Sequence, residues 1–163
     1  MTVLKITEYP AAVLATVGAS VEAFDNELAR LVEDMFETMY AAEGVGLAAP
    51  QIGLSLRLFV MDCDGIKLVA ANPEIVAEAG EQAGEEGCLS VGRVGAPLKR
   101  PMSVTLRAQD VQGNWYERTA EGLAARCFRH ETDHCDGTLF IDRLTPLKRD
   151  IVKKKFQKQK RWG

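Results

Sequence analysis

Arg129-His130-Glu131-Thr132-Asp133-His134-Cys135-Asp136-Gly137 holds both histidines of the chain, four residues apart, with a glutamate directly after the first. A helix advances roughly 100° per residue, so His130 and His134 fall within about 40° of each other, one turn apart, and both imidazoles can reach one cation. Glu131 points to the adjoining face, near such a metal without having to bind it. H-E-x-x-H is the spacing of two ligands and a general base in metal-assisted hydrolysis. Five letters also match by chance on ordinary amphipathic helices. Here, however, no histidine stands anywhere else in the chain.

Working outward, Leu123, Ala124, Ala125, Cys127 and Phe128 make the upstream half of the same helix apolar. It is therefore expected to be buried and central. Asp136-Gly137 closes it, with Gly137 suited to a left-handed cap. Before it, residues 102–108 and 115–119 read as a hairpin across Asp110-Val111-Gln112-Gly113-Asn114. Residues 57–61 and 66–70 form another, since an Asp-Gly pair (Asp64-Gly65) separates them. Asn72 to Ala79 reads as a further strand. An amphipathic helix begins near Asp25, with Leu28, Leu31, Val32, Met35, Phe36 and Met39 on one face. It runs into Gly44-Val45-Gly46-Leu47-Ala48-Ala49-Pro50-Gln51-Ile52-Gly53, where the glycines and proline prescribe unusual backbone. Residues 3–8 read as a strand or an extended segment. The fold class expected is α+β, with antiparallel strands packed around the central HExxH helix and a C-terminal basic helix that opens at Thr145-Pro146.

A chain of 163 residues, 47% of them hydrophobic, has the size and core of a single domain, expected over residues 1–163. The amino terminus lacks a signal-peptide pattern, and no apolar run approaches the ~20 residues that span a bilayer. A cytoplasmic location is the default, with no membrane or DNA contact. Cys63, Cys88, Cys127 and Cys135 are accordingly expected as thiols or metal ligands. The net charge of −3 hides an asymmetry. Of 20 basic and 23 acidic residues, eight basic and one acidic fall in residues 146–163, leaving 12 and 22 in the first 145. A basic end on an acidic body suggests contact with a polyanion, or else a solvated tail.

Two histidines leave a catalytic site one protein ligand short of the usual three. A carboxylate or a cysteine has to supply it. Cys88 stands out in Glu86-Gly87-Cys88-Leu89-Ser90, where Gly87 permits a close backbone approach. Cys127 lies one turn before His130 on an apolar face that favours a packed thiol. Cys135 sits about 100° round the helix from His134, and Cys63 falls in a turn.

Three segments, Gly44-Val45-Gly46-Leu47-Ala48-Ala49-Pro50-Gln51, Glu86-Gly87-Cys88-Leu89-Ser90 and His130-Glu131-Thr132-Asp133-His134, jointly resemble the three motifs of peptide deformylases, in the family's order and at about its spacings. The resemblance continues through Leu139-Phe140-Ile141-Asp142-Arg143-Leu144. It implies hydrolysis of the N-formyl group from the formylmethionine of newly made polypeptides. It further implies a metal held by Cys88, His130 and His134, commonly Fe2+, with Zn2+, Ni2+ or Co2+ able to occupy the site. By the same resemblance Glu131 moves the proton, while the Gln51 side-chain amide and the Leu89 backbone N–H face the oxyanion. The peptide backbone would lie along Gly46 and Gly87. The methionine side chain would enter a pocket lined by Val45, Leu123, Cys127 and the His130 ring. The implied partner is a formylmethionyl nascent chain, which makes the ribosome the polyanion for the basic end. Gly92 stands where the family usually has proline, in a small-residue stretch that reads as flexible, and Arg129 stands where glutamine is common. Both bear on substrate range and leave ligands, base and oxyanion donors intact. The rival readings are a small peptidase, a deformylase-like protein of altered range, and a non-catalytic module stapled by metal, which needs Cys127 as a fourth ligand.

Overall fold

The computed structural model describes residues 2–162, without the side chain of Trp162, so Gly163 at the end of the expected basic helix lies outside the described residues. Chain order is α1 (Asn26–Ala41), β1 (Gly46–Ala48), β2 (Leu58–Cys63), β3 (Ile66–Ala79), β4 (Glu85–Glu86), β5 (Ala96–Pro97), β6 (Ser103–Gln109), β7 (Trp115–Glu121), α2 (Gly122–Cys135) and α3 (Pro146–Trp162). Five strands form one antiparallel sheet in the order β1-β2-β3-β6-β7, and β4 and β5 make a separate ribbon. The architecture is mixed α and β with an antiparallel sheet and three helices. Among the described residues no helix is long and apolar enough to cross a membrane.

Alternation along β2 explains how both faces of the sheet are covered. Phe59, Met61 and Cys63 pack with Ala124, Ala125, Cys127 and Phe128 of α2. Leu58 and Val60 turn to the opposite face and pack with Val32, Met35 and Met39 of α1. A strand segment buried on both sides loses its polar positions, so residues 58–61 of β2 read as a continuous apolar run, and the first polar side chain, Asp62, comes where burial is incomplete. α1 starts where the sequence places it: the Asp25 carboxylate caps it by accepting from Leu28 N–H at 3.1 Å. The β2–β3 turn is Asp64-Gly65, both with positive φ, at +51° and +79°, the geometry that makes Asp-Gly a hairpin signal.

Three details differ from the expectations. Residues 66–79 are one strand, not two. Asn72 interrupts its register with φ +51°, and its side chain grips Val21 N–H and C=O at 2.8 and 3.0 Å. The glycine loop contains a strand, β1, pairing Gly46 with Met61. Cys63 ends β2 and is buried, whereas a turn was expected. Of the two alternatives for residues 3–8, the strand does not form, and the segment is tied in by the bonds Leu4 N–H to Thr38 Oγ1 and Thr7 N–H to Gln51 C=O.

α3 is more than a solvated tail. Val152 and Phe156 are buried with Val91, Val94, Leu139 and Ile141, in the same apolar cluster as Cys88. Gly92 belongs to this contact. At φ +58° it favours glycine, and an added Cβ would meet Gln159 Oε1 at 2.4 Å and Phe156 at 2.7 Å. The stretch that looked loose in sequence is where the basic helix packs down behind the Cys88 loop.

Candidate metal centre and active site

α2 presents its second half to the site. His130, Glu131 and His134 are 8%, 4% and 1% exposed, and the two imidazoles stand edge to face with centroids 4.9 Å apart. Cys88 arrives from outside the helix, in the loop between β4 and β5, held there by the packing of Val91, Phe140 and Phe156. Its Sγ lies 3.4 Å from His134 Nε2. The donor atoms of Cys88, His130 and His134 all fall within 4.8 Å of one another.

Several observations show that this set suits a divalent cation. A tetrahedral site with metal–sulfur and metal–nitrogen bonds of about 2.3 and 2.0–2.1 Å sets S and N about 3.5 Å apart, close to the 3.4 Å found. His130 Nδ1 bonds the Glu86 carboxylate at 2.7 Å. With that nitrogen donating, Nε2 carries the free lone pair, as metal-ligating histidines require. Burial disfavours charge on His130, yet Glu131, Cys88 and Glu86 outweigh it and push its pKa well above the ordinary imidazole value. The surroundings therefore attract positive charge. His134 goes the other way: burial, then the neighbouring His130, hold it well below the ordinary value, in the neutral form that ligates.

Glu131 lies beside this set with one oxygen, Oε1, buried and without a hydrogen-bond partner. Burial pushes its pKa up to about 7, against the pull of His130. The carboxylate backs onto β1: a Cβ on Gly46 would meet Glu131 Oε2 at 2.5 Å and Cys127 Sγ at 2.9 Å. Only glycine allows the strand this close. Gln51 is 1% exposed and is oriented by its carbonyl oxygen, which accepts from Ala48 N–H at 2.9 Å. Its amide nitrogen is thereby turned toward Cys88 Sγ at 3.5 Å and Ser90 Oγ at 3.3 Å. Leu89 opens the 3₁₀ turn Leu89–Val91, at a position where helical turns leave backbone N–H groups without internal partners.

A cleft of about 350 Å3 joins these groups, lined by Gln51, Cys88, Leu89, His130 and Glu131 and also by Val45, Gly46, Gly87, Leu123 and Cys127. Val45 and Leu123 are 45% and 50% exposed, apolar side chains at its wall. Of the residues singled out in the sequence for the site, all but His134 line this cleft, and His134 keeps its donor atom within 4.8 Å of those of Cys88 and His130. Cys127 does not join the converging donors among the described residues. Its thiol lies 4.0 Å from Val45 C=O, and burial pushes its pKa well up, so the four-ligand staple lacks its fourth donor. All four cysteines are buried free thiols.

Sequence reasoning passed over the groups that support the site. Glu86, quoted only as a neighbour of Cys88, accepts from Arg100 at 2.9 and 2.6 Å, Arg126 at 3.0 Å and His130. Burial pushes its carboxyl up, but the hydrogen bonds from Arg100 and His130 outweigh it and hold it well below the usual range. Arg100 continues to Asp133 at 2.9 Å, which Arg143 also grips at 2.6 and 2.7 Å. The doubled Glu85-Glu86 before the cysteine was the one signal available.

The model of the family described as polypeptide deformylase matches residues 3–150. The chain belongs to this family. A peptide deformylase of Acidobacterium capsulatum is 46% identical, covering 100% of this chain and 99% of its own length. That of Xylella fastidiosa is 46% identical over 99% and 98%. The crystal structure of a peptide deformylase from Legionella pneumophila superposes with a TM-score of 0.95 at 48% identity, covering 99% of this chain and 97% of that one. Polypeptide deformylases are metal-dependent hydrolases that remove the N-formyl group from nascent peptides, and this is the activity of the chain.

Proposed function

We propose that the chain, as one cytoplasmic domain, deformylates the formylmethionine of new polypeptides with Fe2+ bound by Cys88, His130 and His134 and with Glu131 as proton carrier. In this reading α2 is the buried central helix that delivers both histidines and the base. The observation that carries it is the convergence of three ligand atoms within 4.8 Å on a cleft that also holds Glu131 and Gln51.

A divalent cation at this site would supply Lewis acidity and lower the pKa of water. The protein does the rest. Glu131 Oε1 accepts the proton of the attacking water and returns it to the leaving amine, the two transfers of a general base that becomes a general acid. Gln51 Nε2, fixed by its bond to Ala48, and Leu89 N–H donate to the formyl oxygen as charge develops there, each such donor being worth ~3 kcal/mol of barrier. Gly46 and Gly87 offer backbone to an extended peptide, and the methionine side chain takes the apolar wall formed by Val45, Leu123 and Cys127.

Anaerobically prepared, iron-loaded protein is expected to release formate from a formyl-Met tripeptide much faster than acetate from its acetyl counterpart, because the acetyl methyl must fit between Gln51, Leu89 and the ligands. Cys88→Ser should lose most metal and activity, and Cys63→Ser neither. Absence of formate from metal-loaded wild type would sink the activity; full metal content in the Cys88 variant would sink the ligand assignment.

The ribosome is the proposed polyanion for α3, on the support of Lys154, Lys155 and Lys158, which face solvent while Val152 and Phe156 face the core. Deletion of α3 would uncover that core, so the test exchanges the three lysines for glutamine. Co-sedimentation with ribosomes should weaken and lose part of its salt dependence, with turnover of a free tripeptide unchanged. Undiminished co-sedimentation would remove the role.

A further inference from the structure

A second cavity, of about 560 Å3, shares no lining residue with the catalytic cleft. Its walls carry Lys99, Arg100, Arg129, Arg143 and Lys148 against a single carboxylate, Glu78. The concentration is unusual for this body, whose first 145 residues hold 12 basic and 22 acidic side chains. Four of those 12 stand around one hollow, and Lys148 joins them from the first turn of α3.

How much of this charge is already spent decides what the hollow can take. Arg100 is fully engaged by Glu86 and Asp133 and is only 3% exposed. Arg143 holds Asp133 with two nitrogens, but its side chain remains 39% exposed. Arg129 lies 3.6 Å from Glu78 and 3.8 Å from Asp133, within ion-pair range but beyond hydrogen-bonding distance, so its forked donors stay available. Lys99 and Lys148 have no carboxylate within 4.0 Å among the described residues. Asp133 answers three arginines at once, and Glu78 is half outside. The cavity therefore keeps at least two uncompensated positive charges with free N–H donors.

We propose that this cavity binds a small oligophosphate, of the pyrophosphate or nucleoside polyphosphate class. Arginine forks and lysine ammonium groups recognise phosphoryl oxygens through charge-assisted hydrogen bonds. A hollow of this size lies in the range of small-molecule sites, about 300–1,000 Å3, and its concavity favours a compact anion over the extended backbone of a nucleic acid. Arg129, which lies outside the lining of the catalytic cleft, becomes a ligand-binding residue.

Calorimetric titration of the nickel-loaded, full-length protein with tripolyphosphate tests this. One saturable site is expected, tighter for tripolyphosphate than for orthophosphate and weakened by added salt. The combined Lys99→Gln and Arg129→Gln variant should lower the affinity about tenfold or more while formate release stays at the wild-type rate. The three α3 lysine substitutions should leave the affinity unchanged. No saturation, equal affinity in the Lys99/Arg129 variant, as chelation at the metal centre would give, or saturable binding of an RNA oligonucleotide but not of tripolyphosphate would each overturn the proposal.

Discussion

Glu131→Gln is expected to keep its metal and to lose about 10²–10⁴-fold in kcat/KM for a formyl-Met tripeptide, the range associated with removing a general acid–base. Glutamine matches glutamate in shape and so fits the buried position that Gly46 leaves open by lacking a Cβ. It cannot take up a proton. The loss should therefore appear in turnover, while elemental analysis finds the same metal per chain as in wild type. Burial places the Glu131 pKa at about 7, a value poised to accept and return a proton near neutral pH. Metal content that fell along with the rate would make Glu131 a ligand and defeat its assignment as proton carrier.

Arg100→Met is expected to strike the fold and the metal centre together. The Arg100 side chain is 2% exposed and bridges Glu86 and Asp133, whose side chains are 4% and 2% exposed. Removing one partner from a buried ion network leaves carboxylates short of compensation, at a cost of ~3–5 kcal/mol. Urea unfolding of the nickel-loaded protein would read that loss as a lower midpoint. The second effect follows from Glu86, which steadies His130 through Nδ1. Groups that orient a metal-ligating histidine are typically worth about 10–100-fold in metal affinity, measurable by competition with a chelator. Arg100→Lys should rescue little, because an ammonium cannot span Glu86 with two parallel bonds. If Arg100→Met unfolded at the wild-type midpoint and held nickel equally well, the network would have no supporting role.

What the sequence disclosed and what it hid follow the range of the interactions. His130 and His134 are neighbours on one helix turn, the Asp25 carboxylate caps its helix through an N–H three residues away, and Asp64-Gly65 shapes a turn from its own backbone; each signal lies within a few residues. The bond between Glu86 and His130 joins positions 44 apart, and no local periodicity announces it. Continuity of β3 through Asn72-Pro73 was hidden for a related reason. Asn-Pro looks like a strand end, and it is bonds to distant residues, from Asn72 N–H to Arg57 C=O and from the Asn72 side chain to Val21 and Gln109, that hold the strand across the break. Lysines masked the docking face of α3, where two apolar residues, Val152 and Phe156, do the packing. The cleft itself was legible only through the joint resemblance of three motifs, since Val45, Leu123 and Cys127 taken singly are ordinary apolar residues.

The place of β1 at the margin of the sheet bears on what the enzyme can ignore. A peptide laid beside a three-residue edge strand is read chiefly through amide and carbonyl groups, which every polypeptide shares. Side-chain discrimination is then confined to the one position that enters the cleft. Nascent chains have their first residue in common and almost nothing after it. With the peptide placed along β1 as proposed, a short margin with one selective hollow would leave the catalyst indifferent to the differences among its substrates, and a longer edge strand with more contacting side chains would forfeit that generality.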